Sequence, residues 1–370
     1  MKTTQLYPYH RDHAKLVEFA GYEMPLWYTS TSDEHMAVRN RCGVFDVSHM
    51  GRFSVKGQAA GGFLEGLVPT QVQSQPSNKA FYTLLLNEKG GIIDDLIITK
   101  LGEADYLVVV NAANAGTDMA HMRKHLPSGD VQIDDITESS AMIAVQGPQA
   151  ASVLQPLTPV DLGKVKRFRC AATQVHGQPS IVSRTGYTGE DGFEVIVLGT
   201  TVAAPEAALA AWDSLVKASA PCGLSARDSL RLEAGFPLHG SDIDQDTNPF
   251  QADLAWVVSA EKTGYVGFDA LSAARRAPPG VVKKGVVLDR GIPRHGFDVI
   301  GAGSDRIGFV TSGSFSPVLK KGIALCRVRS ESSESGSGVQ VRVRDSLEGG
   351  RLVRPPFYDE TSYGWKRSAT

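Results

Sequence analysis

Short runs of alternating or β-branched residues dominate the hydrophobic pattern of this chain, with a few helical stretches set between them. Arg52-Phe53-Ser54-Val55-Lys56 alternates polar and apolar residues as a half-buried strand does. A glycine-rich turn follows, then a short apolar helix over 59–67. Runs rich in β-branched and aromatic residues predict successive strands over 81–86, 92–99 and 106–111. Asn87-Glu88-Lys89-Gly90-Gly91 reads as the turn between the first two, because adjacent glycines supply the positive φ of a tight hairpin. A helix over 113–126 is closed by Pro127 and Gly129, so 51–138 reads as one α+β unit.

Strands resume over 141–146, 180–184 and 193–198. A helix with one apolar face spans 206–219, and another spans 226–234, with Ser225 as its N-cap and Gly235 at its end. Pro278-Pro279-Gly280 can continue neither regular structure and marks the strongest boundary. Beyond it come short strands over 284–288, 307–311, 323–328 and 339–344, with a Ser/Glu/Gly connector over 330–338. Strands and helices do not alternate as βαβ units, and no complete GxGxxG or GxxxxGK[ST] occurs, which argues against a nucleotide-binding α/β fold.

Composition narrows the class only a little. Hydrophobic residues make up 42% and charged residues 21% of 370, an ordinary globular profile for a chain long enough to need two or three domains. A formal charge of −2 gives no basic excess for nucleic acid. Cys42, Cys170, Cys222 and Cys326 lack paired spacing and read as buried thiols. With no signal-peptide core and no apolar span, a soluble, cytoplasmic protein is expected.

Three clusters could carry chemistry. Asp94 and Asp95 sit in an apolar strand whose alternation sends neighbours to opposite faces, so at least one carboxylate faces inward and needs compensation. A cap or salt bridge would satisfy it, and so would a cationic or proton-bearing substrate. Arg184 to Glu194 holds three glycines in a short loop, which suits either a surface hairpin or close approach to a flat ligand read by Glu194. Arg227 and Arg231 share one face of a helix, where local salt bridging is the default. Arg227 lies near the helix N-terminus, where a positive charge calls for an anionic partner. His121 and His125 have metal-compatible spacing but no nearby third ligand, so no metal site is expected.

The order of motifs is more specific than any one of them. Phe19-Ala20-Gly21-Tyr22-Glu23-Met24-Pro25, Phe45-Asp46-Val47-Ser48-His49-Met50-Gly51 and Asn87 to Ile97 resemble landmarks of the glycine cleavage T-protein family. So do Gln146-Gly147-Pro148, Gly186 to Glu194, Ala226 to Gly235, Gly240 to Asp244 and Thr311 to Pro317. The resemblance implies three domains in a cloverleaf around a central folate pocket. Residues 1–50 with 139–277 would form the first, 51–138 the second, and 278–370 a mainly β, barrel-like third. It also implies transfer of an aminomethyl group from the lipoyl arm of H protein to tetrahydrofolate, with functional links to glycine decarboxylase and dihydrolipoyl dehydrogenase. By position, Asp95 matches the family's catalytic aspartate, and Glu194 the carboxylate that reads the pterin. Arg227 matches a folate-binding arginine; Tyr82, Tyr187 and Asn111 match pocket positions, and Tyr363 matches more loosely.

Two rivals share the expected pocket. One is a folate-dependent demethylase of the same fold, differing in what enters opposite the folate. The other is a non-catalytic folate-binding factor, but the Lys-Gly-Cys-Tyr-x-Gly-Gln-Glu run of that group is missing here.

Overall fold

The computed structural model describes residues 1–344 and 346–367. It is a mixed helix–sheet structure built on two open antiparallel-rich sheets and a closed barrel. The first sheet orders Cys170–Val175, Gln178–Ser183, Gly192–Leu198, Ser140–Gln146, Gly43–Asp46 and Ala220–Pro221. Period-two alternation gives it two apolar faces. Val44, Ile143, Val145, Val195 and Val197 pack on Trp212 and Leu215 of helix Glu206–Val216. Phe45, Met142, Ala144 and Ile196 face the other way.

That second face meets another sheet. Lys79–Leu86, Ile92–Gly102, Asp105–Val110, Gly51–Lys56 and Gln132–Asp135 lie side by side in this order. Leu107 and Val109 of its central strand join Phe45 and Met142, while Tyr106, Val108 and Val110 pack under helices Ala60–Leu67 and Ala115–Lys124. Burial on both faces explains why this strand reads as a continuous apolar run rather than an alternation. Further along the same sheet, Leu84, Leu86 and Ile92 are covered by Ile243, Leu254, Val257 and Leu271.

The barrel closes through Val281–Leu288, Lys321–Arg329, Arg306–Ser316, Asp298–Ile300, Gly338–Val343 and Ser346–Val353. Closure leaves no free edge and gives an interior of Val286, Leu288, Val310, Ala324, Cys326 and Val341. All four cysteines are buried free thiols. No helix among the described residues is long and apolar enough to cross a membrane.

Helix Leu224–Ala234 joins the parts. Ala226 and Leu230 pack on the first sheet, and Leu232 packs on Val287, Ile323 and Leu325 of the barrel. Its start corrects the sequence expectation: the N-cap is Gly223, not Ser225. Gly223 supplies no capping side chain, and its own N–H donates to Glu34 Oε2 at 2.8 Å, so a carboxylate from helix Thr31–Asn40 takes the place of the N3 Glu of a capping box. The far end follows the expectation, with Gly235 in the left-handed region at φ 77°.

Buried charge holds this junction. Arg39 donates to Glu190 at 3.0 Å and to Glu233 at 3.0 Å, with its guanidinium 4.5 Å from the Tyr358 ring. Glu233 also pairs with His35 at 2.8 Å and accepts from Ser316 at 2.5 Å, while Arg367 reaches Glu190 at 2.5 Å. Helix, barrel and C-terminal segment are therefore cross-linked through two carboxylates.

The hairpin over 87–91 forms with a division of labour between its glycines. Gly90 takes φ 78°, whereas Gly91 lies so close to the Gln245 carbonyl that a Cβ would sit 1.7 Å from its oxygen. The 15–27 hairpin, Lys15–Phe19 with Tyr22–Trp27, and helix Thr31–Asn40 also form in the first fifty residues.

Candidate active site

Strand Ile92–Gly102 presents the adjacent carboxylates unequally: Asp94 is fully buried and Asp95 half-buried. Asp94 accepts from the Asn111 backbone N–H at 2.9 Å, from Asn111 Nδ2 at 2.8 Å and from Asn114 Nδ2 at 2.6 Å. The same Asn111 amide donates to Asp95 Oδ1 at 2.8 Å, and Tyr82 Oη donates to Asp95 Oδ2 at 3.0 Å. One amide thus ties together two side chains that strand alternation alone would send apart.

The environment sets the acidity of Asp95. Burial and then the Asp94 charge push its carboxyl up to about 6, against the opposing pull of Tyr82, His239 and Asn111. His239 is oriented by the backbone. Its Nε2–H donates to the Ile92 carbonyl at 3.2 Å, leaving Nδ1 to accept from Asn114 Nδ2 at 2.9 Å. Tyr82 also stacks on Trp256 with ring centroids 5.6 Å apart, and Trp256 is 69% exposed. An indole that open beside a half-buried carboxylate marks the rim of this wall.

The opposite wall comes from the 185–194 loop and the start of helix Leu224–Ala234. Glu194 accepts from Thr185 Oγ1 at 2.5 Å. Tyr187 donates its hydroxyl to the Pro237 carbonyl and stacks on Phe236 at 5.9 Å. Arg227 holds its guanidinium 5.0 Å from the Tyr187 ring. Burial lowers Arg227, against the pull of Glu194 and Tyr187, and its Nη1 is buried with no partner among the described residues. Burial raises the Tyr187 hydroxyl, with the Asp95 charge adding to it, and Tyr187 in turn helps raise Tyr82. The two walls therefore lie within electrostatic range of each other.

The structure separates the readings that the residues left open. Local salt bridging is right for Arg231, which pairs with Asp228 at 2.8 Å and Asp242 at 2.8 Å. It does not apply to Arg227 Nη1, so the two arginines of one helix face have different work. In the glycine loop, Arg184 and Asp191 pair at 2.6 Å, while Thr188, Gly189, Glu190 and Gly192 are buried, so the stretch is not a surface hairpin. A Cβ on Gly186 would lie 2.0 Å from Gln146 Oε1, and one on Gly189 would lie 2.4 Å from the Tyr358 hydroxyl. Those glycines make room for the protein's own side chains.

The Tyr363 ring lies 6.4 Å from the Tyr358 ring and 5.9 Å from the Arg367 guanidinium, and its N–H donates to the Asp359 carbonyl. Asn114, Asp118, His239, Trp256 and His49 escaped the sequence reading. Asn111, Asn114 and Asp118 recur at helical spacing around a helix start, a polar stripe where an apolar one is usual, and that was the available signal. His49 is buried, its Nδ1 has no partner among the described residues, and burial and the Arg227 charge hold it down to about 3; nothing in its motif foretold this. Among the described residues no cluster of His, Cys, Asp or Glu is arranged to hold a metal.

The site combines a carboxyl poised near neutrality, a second carboxylate with spare acceptor capacity, two tyrosine rings and a guanidinium lacking an acceptor. This donor set fits a flat heterocycle with N–H groups and an anionic or carbonyl-bearing portion. The GCVT N-terminal domain family matches residues 6–262, and the glycine cleavage T-protein C-terminal barrel domain family matches 284–359. An aminomethyltransferase of Thermus thermophilus is 46% identical over 346 residues, covering 93% of this chain and 96% of its own. One from Geobacillus kaustophilus is 42% identical over 367 residues, covering 97% and 99%. The crystal structure of glycine cleavage system aminomethyltransferase T from Bartonella henselae superposes with a TM-score of 0.91 at 34% identity over 99% of both chains. With both of its domains matched and relatives of this identity aligned over nearly its whole length, the chain belongs to the glycine cleavage T-protein, or aminomethyltransferase, family.

Proposed function

We propose that this protein transfers the one-carbon unit of an aminomethyl-dihydrolipoyl arm, carried by H protein, to tetrahydrofolate. The products are 5,10-methylenetetrahydrofolate, ammonia and the dihydrolipoyl carrier. The observation that carries this reading is Asp95, a half-buried carboxyl raised toward neutrality and aimed by Tyr82 and Asn111. Family membership supports the reaction class.

The chemistry asks for a group that favours positive charge and then accepts a proton. Departure of ammonia from the protonated S–CH2–N centre leaves a sulfur-stabilised, thionium-like carbon, which an ionised Asp95 favours electrostatically. One folate amine forms a C–N bond to that carbon and passes its proton to Asp95. The second amine closes the ring as the C–S bond breaks, and its proton ends on the departing thiol. Asp95 returns its proton to ammonia, so the cycle is balanced. Glu194 takes pterin N–H donors, and Tyr82 and Tyr187 pack the rings. The Arg227 Nη1 that lacks an acceptor supplies a charged hydrogen bond to the folate.

Two outcomes follow. Asp95 must be ionised to act, so kcat/KM falls as pH drops through about 6, and a pH–rate profile at subsaturating substrate reads this acid limb. Arg227→Ala weakens tetrahydrofolate binding about 10- to 100-fold, the loss of a charge-assisted hydrogen bond worth about 1.5–3 kcal/mol. Turnover at saturating folate changes much less, and a titration beside a turnover assay separates the two. The reading itself is tested with aminomethylated, lipoylated H protein. Ammonia release that requires tetrahydrofolate supports it, and tight folate binding with no release removes it.

A further inference from the structure

Asp118 lies in the first turn of helix Ala115–Lys124, 0% exposed. Neither of its carboxyl oxygens has a hydrogen-bond donor among the described residues. What it does have is another carboxyl. Asp94 is within side-chain hydrogen-bond reach, and Asp95 stands close enough for its charge to be felt. From the strand, the facing titratable groups are these two aspartates. From the 236–244 loop it is His239, which touches the cluster through Asn114. No cation among the described residues pairs with Asp118.

Two carboxylates in contact, with no solvent and no donor between them, cannot both remain charged, and one proton shared between them removes the conflict. Asp94 already accepts three N–H groups from Asn111 and Asn114, so it is the better site for the charge. Asp118 has none, so it is the better site for the proton. We propose that Asp118 is a positioning residue that keeps its proton at neutral pH and donates it to Asp94, fixing the Asp94–Asn111–Asp95 frame. Burial, followed by the Asp94 and Asp95 charges, pushes its carboxyl far above the ordinary range, in keeping with this arrangement.

Two consequences follow. The cluster carries the charge of two carboxylates, not three, which keeps Asp95 ionisable at working pH. The fourth donor on Asp94 also pins the carboxylate that orients the Asn111 amide, and that amide orients Asp95. Asp118 thus acts on the reacting atoms only through its neighbours.

The kinetic part of the test rests on the reaction proposed above; the spectroscopic part does not. Infrared spectra of the folate-free protein at about pH 8, far above the ordinary aspartate pKa of ~3.9, should contain a protonated-carboxyl carbonyl band that Asp118→Asn lacks. No difference in that band overturns the proposal, whatever the enzyme turns over. In the aminomethyl-transfer assay, Asp118→Asn replaces a neutral donor with a neutral donor. The acid limb of kcat/KM should stay within about 0.3 pH unit, with turnover within about threefold. A limb displaced to lower pH by about one unit means that a negative charge was removed, and sinks the assignment. Asp118→Ala lacks the donor, so kcat should fall about tenfold with KM for tetrahydrofolate little changed, and Asp118→Asn should restore it. Equal turnover in the Ala and native enzymes removes the positioning role.

Discussion

Asp95→Asn should lower turnover by about 10²- to 10⁴-fold while changing tetrahydrofolate affinity only a few-fold, the range that a positioned general base contributes. The asymmetry comes from the geometry. Asp95 accepts from Asn111 at 2.8 Å and from Tyr82 at 3.0 Å. An asparagine can turn its oxygen to Asn111 and its amide to the Tyr82 oxygen, because a phenol both donates and accepts. The pocket keeps its shape and loses only a charge and a basic site. A thionium-like centre would then form without its counter-charge, and the folate amine would keep its proton. Rapid-mixing turnover together with equilibrium folate titration decides the matter. If affinity falls as far as turnover, Asp95 is a binding residue and the proton has another destination. The acid limb near pH 6 should disappear in the same variant, since the group that produces it is gone.

The second large effect is on stability. Arg39→Met should cost about 3 kcal/mol, the lower end of the range for removing one partner of a buried ion pair. Arg39 is 0% exposed and spends its guanidinium on Glu190, Glu233 and the carbonyls of Thr188 and Leu230. Neither carboxylate is left bare by its loss, because Glu190 keeps Arg367 and Glu233 keeps His35 and Ser316. That is why the upper end of the range is not expected. Arg39→Lys should rescue little, since one ammonium cannot span both carboxylates or stack on Tyr358 as a planar guanidinium does. Denaturant midpoints at constant slope measure the loss, and a change under about 0.5 kcal/mol would remove the network as a source of stability. Glu233 shares helix Leu224–Ala234 with Arg227, so weaker folate binding should accompany the loss of stability.

The same helix illustrates how far local pattern carries. Its apolar positions and its terminal Gly235 are readable from spacing, and it ends where expected. Its start is not readable, because the N-cap Gly223 carries no capping side chain and its N–H is taken by Glu34, nearly two hundred residues away, a partner that no local window holds. The strands over 79–110 and four of the six barrel strands after Pro279 are legible for a related reason: β-branched runs bounded by glycine and proline have few other uses, whereas Asp298–Ile300 is too short and Ser346–Val353 too polar to announce itself. Strand Cys170–Val175 was missed, since it alternates apolar positions with exposed ones in a weakly hydrophobic run, and pairing with Gln178–Ser183 defines it.

Chemistry divides along the same line. Residue types alone raise Asp94 or Asp95, Glu194 and Arg227 as candidates; the order of motifs indicates the family, and that resemblance selects Asp95 and adds Tyr82, Tyr187 and Asn111. Sequence alone determined most of the elements over 51–138 and 180–234, that the C-terminal part is rich in strands, and that two adjacent carboxylates stand in an apolar strand. Only the tertiary structure decided which of two adjacent aspartates is enclosed, that one asparagine amide holds both, and that Asp118 arrives beside them from a helix. It also decided that Arg231 is paired while Arg227 keeps a donor free. The physical reason is that covalent spacing dictates local periodicity, whereas burial and charge depend on neighbours brought from elsewhere in the chain. A carboxyl's acidity is a property of those neighbours, and the fold alone assembles them.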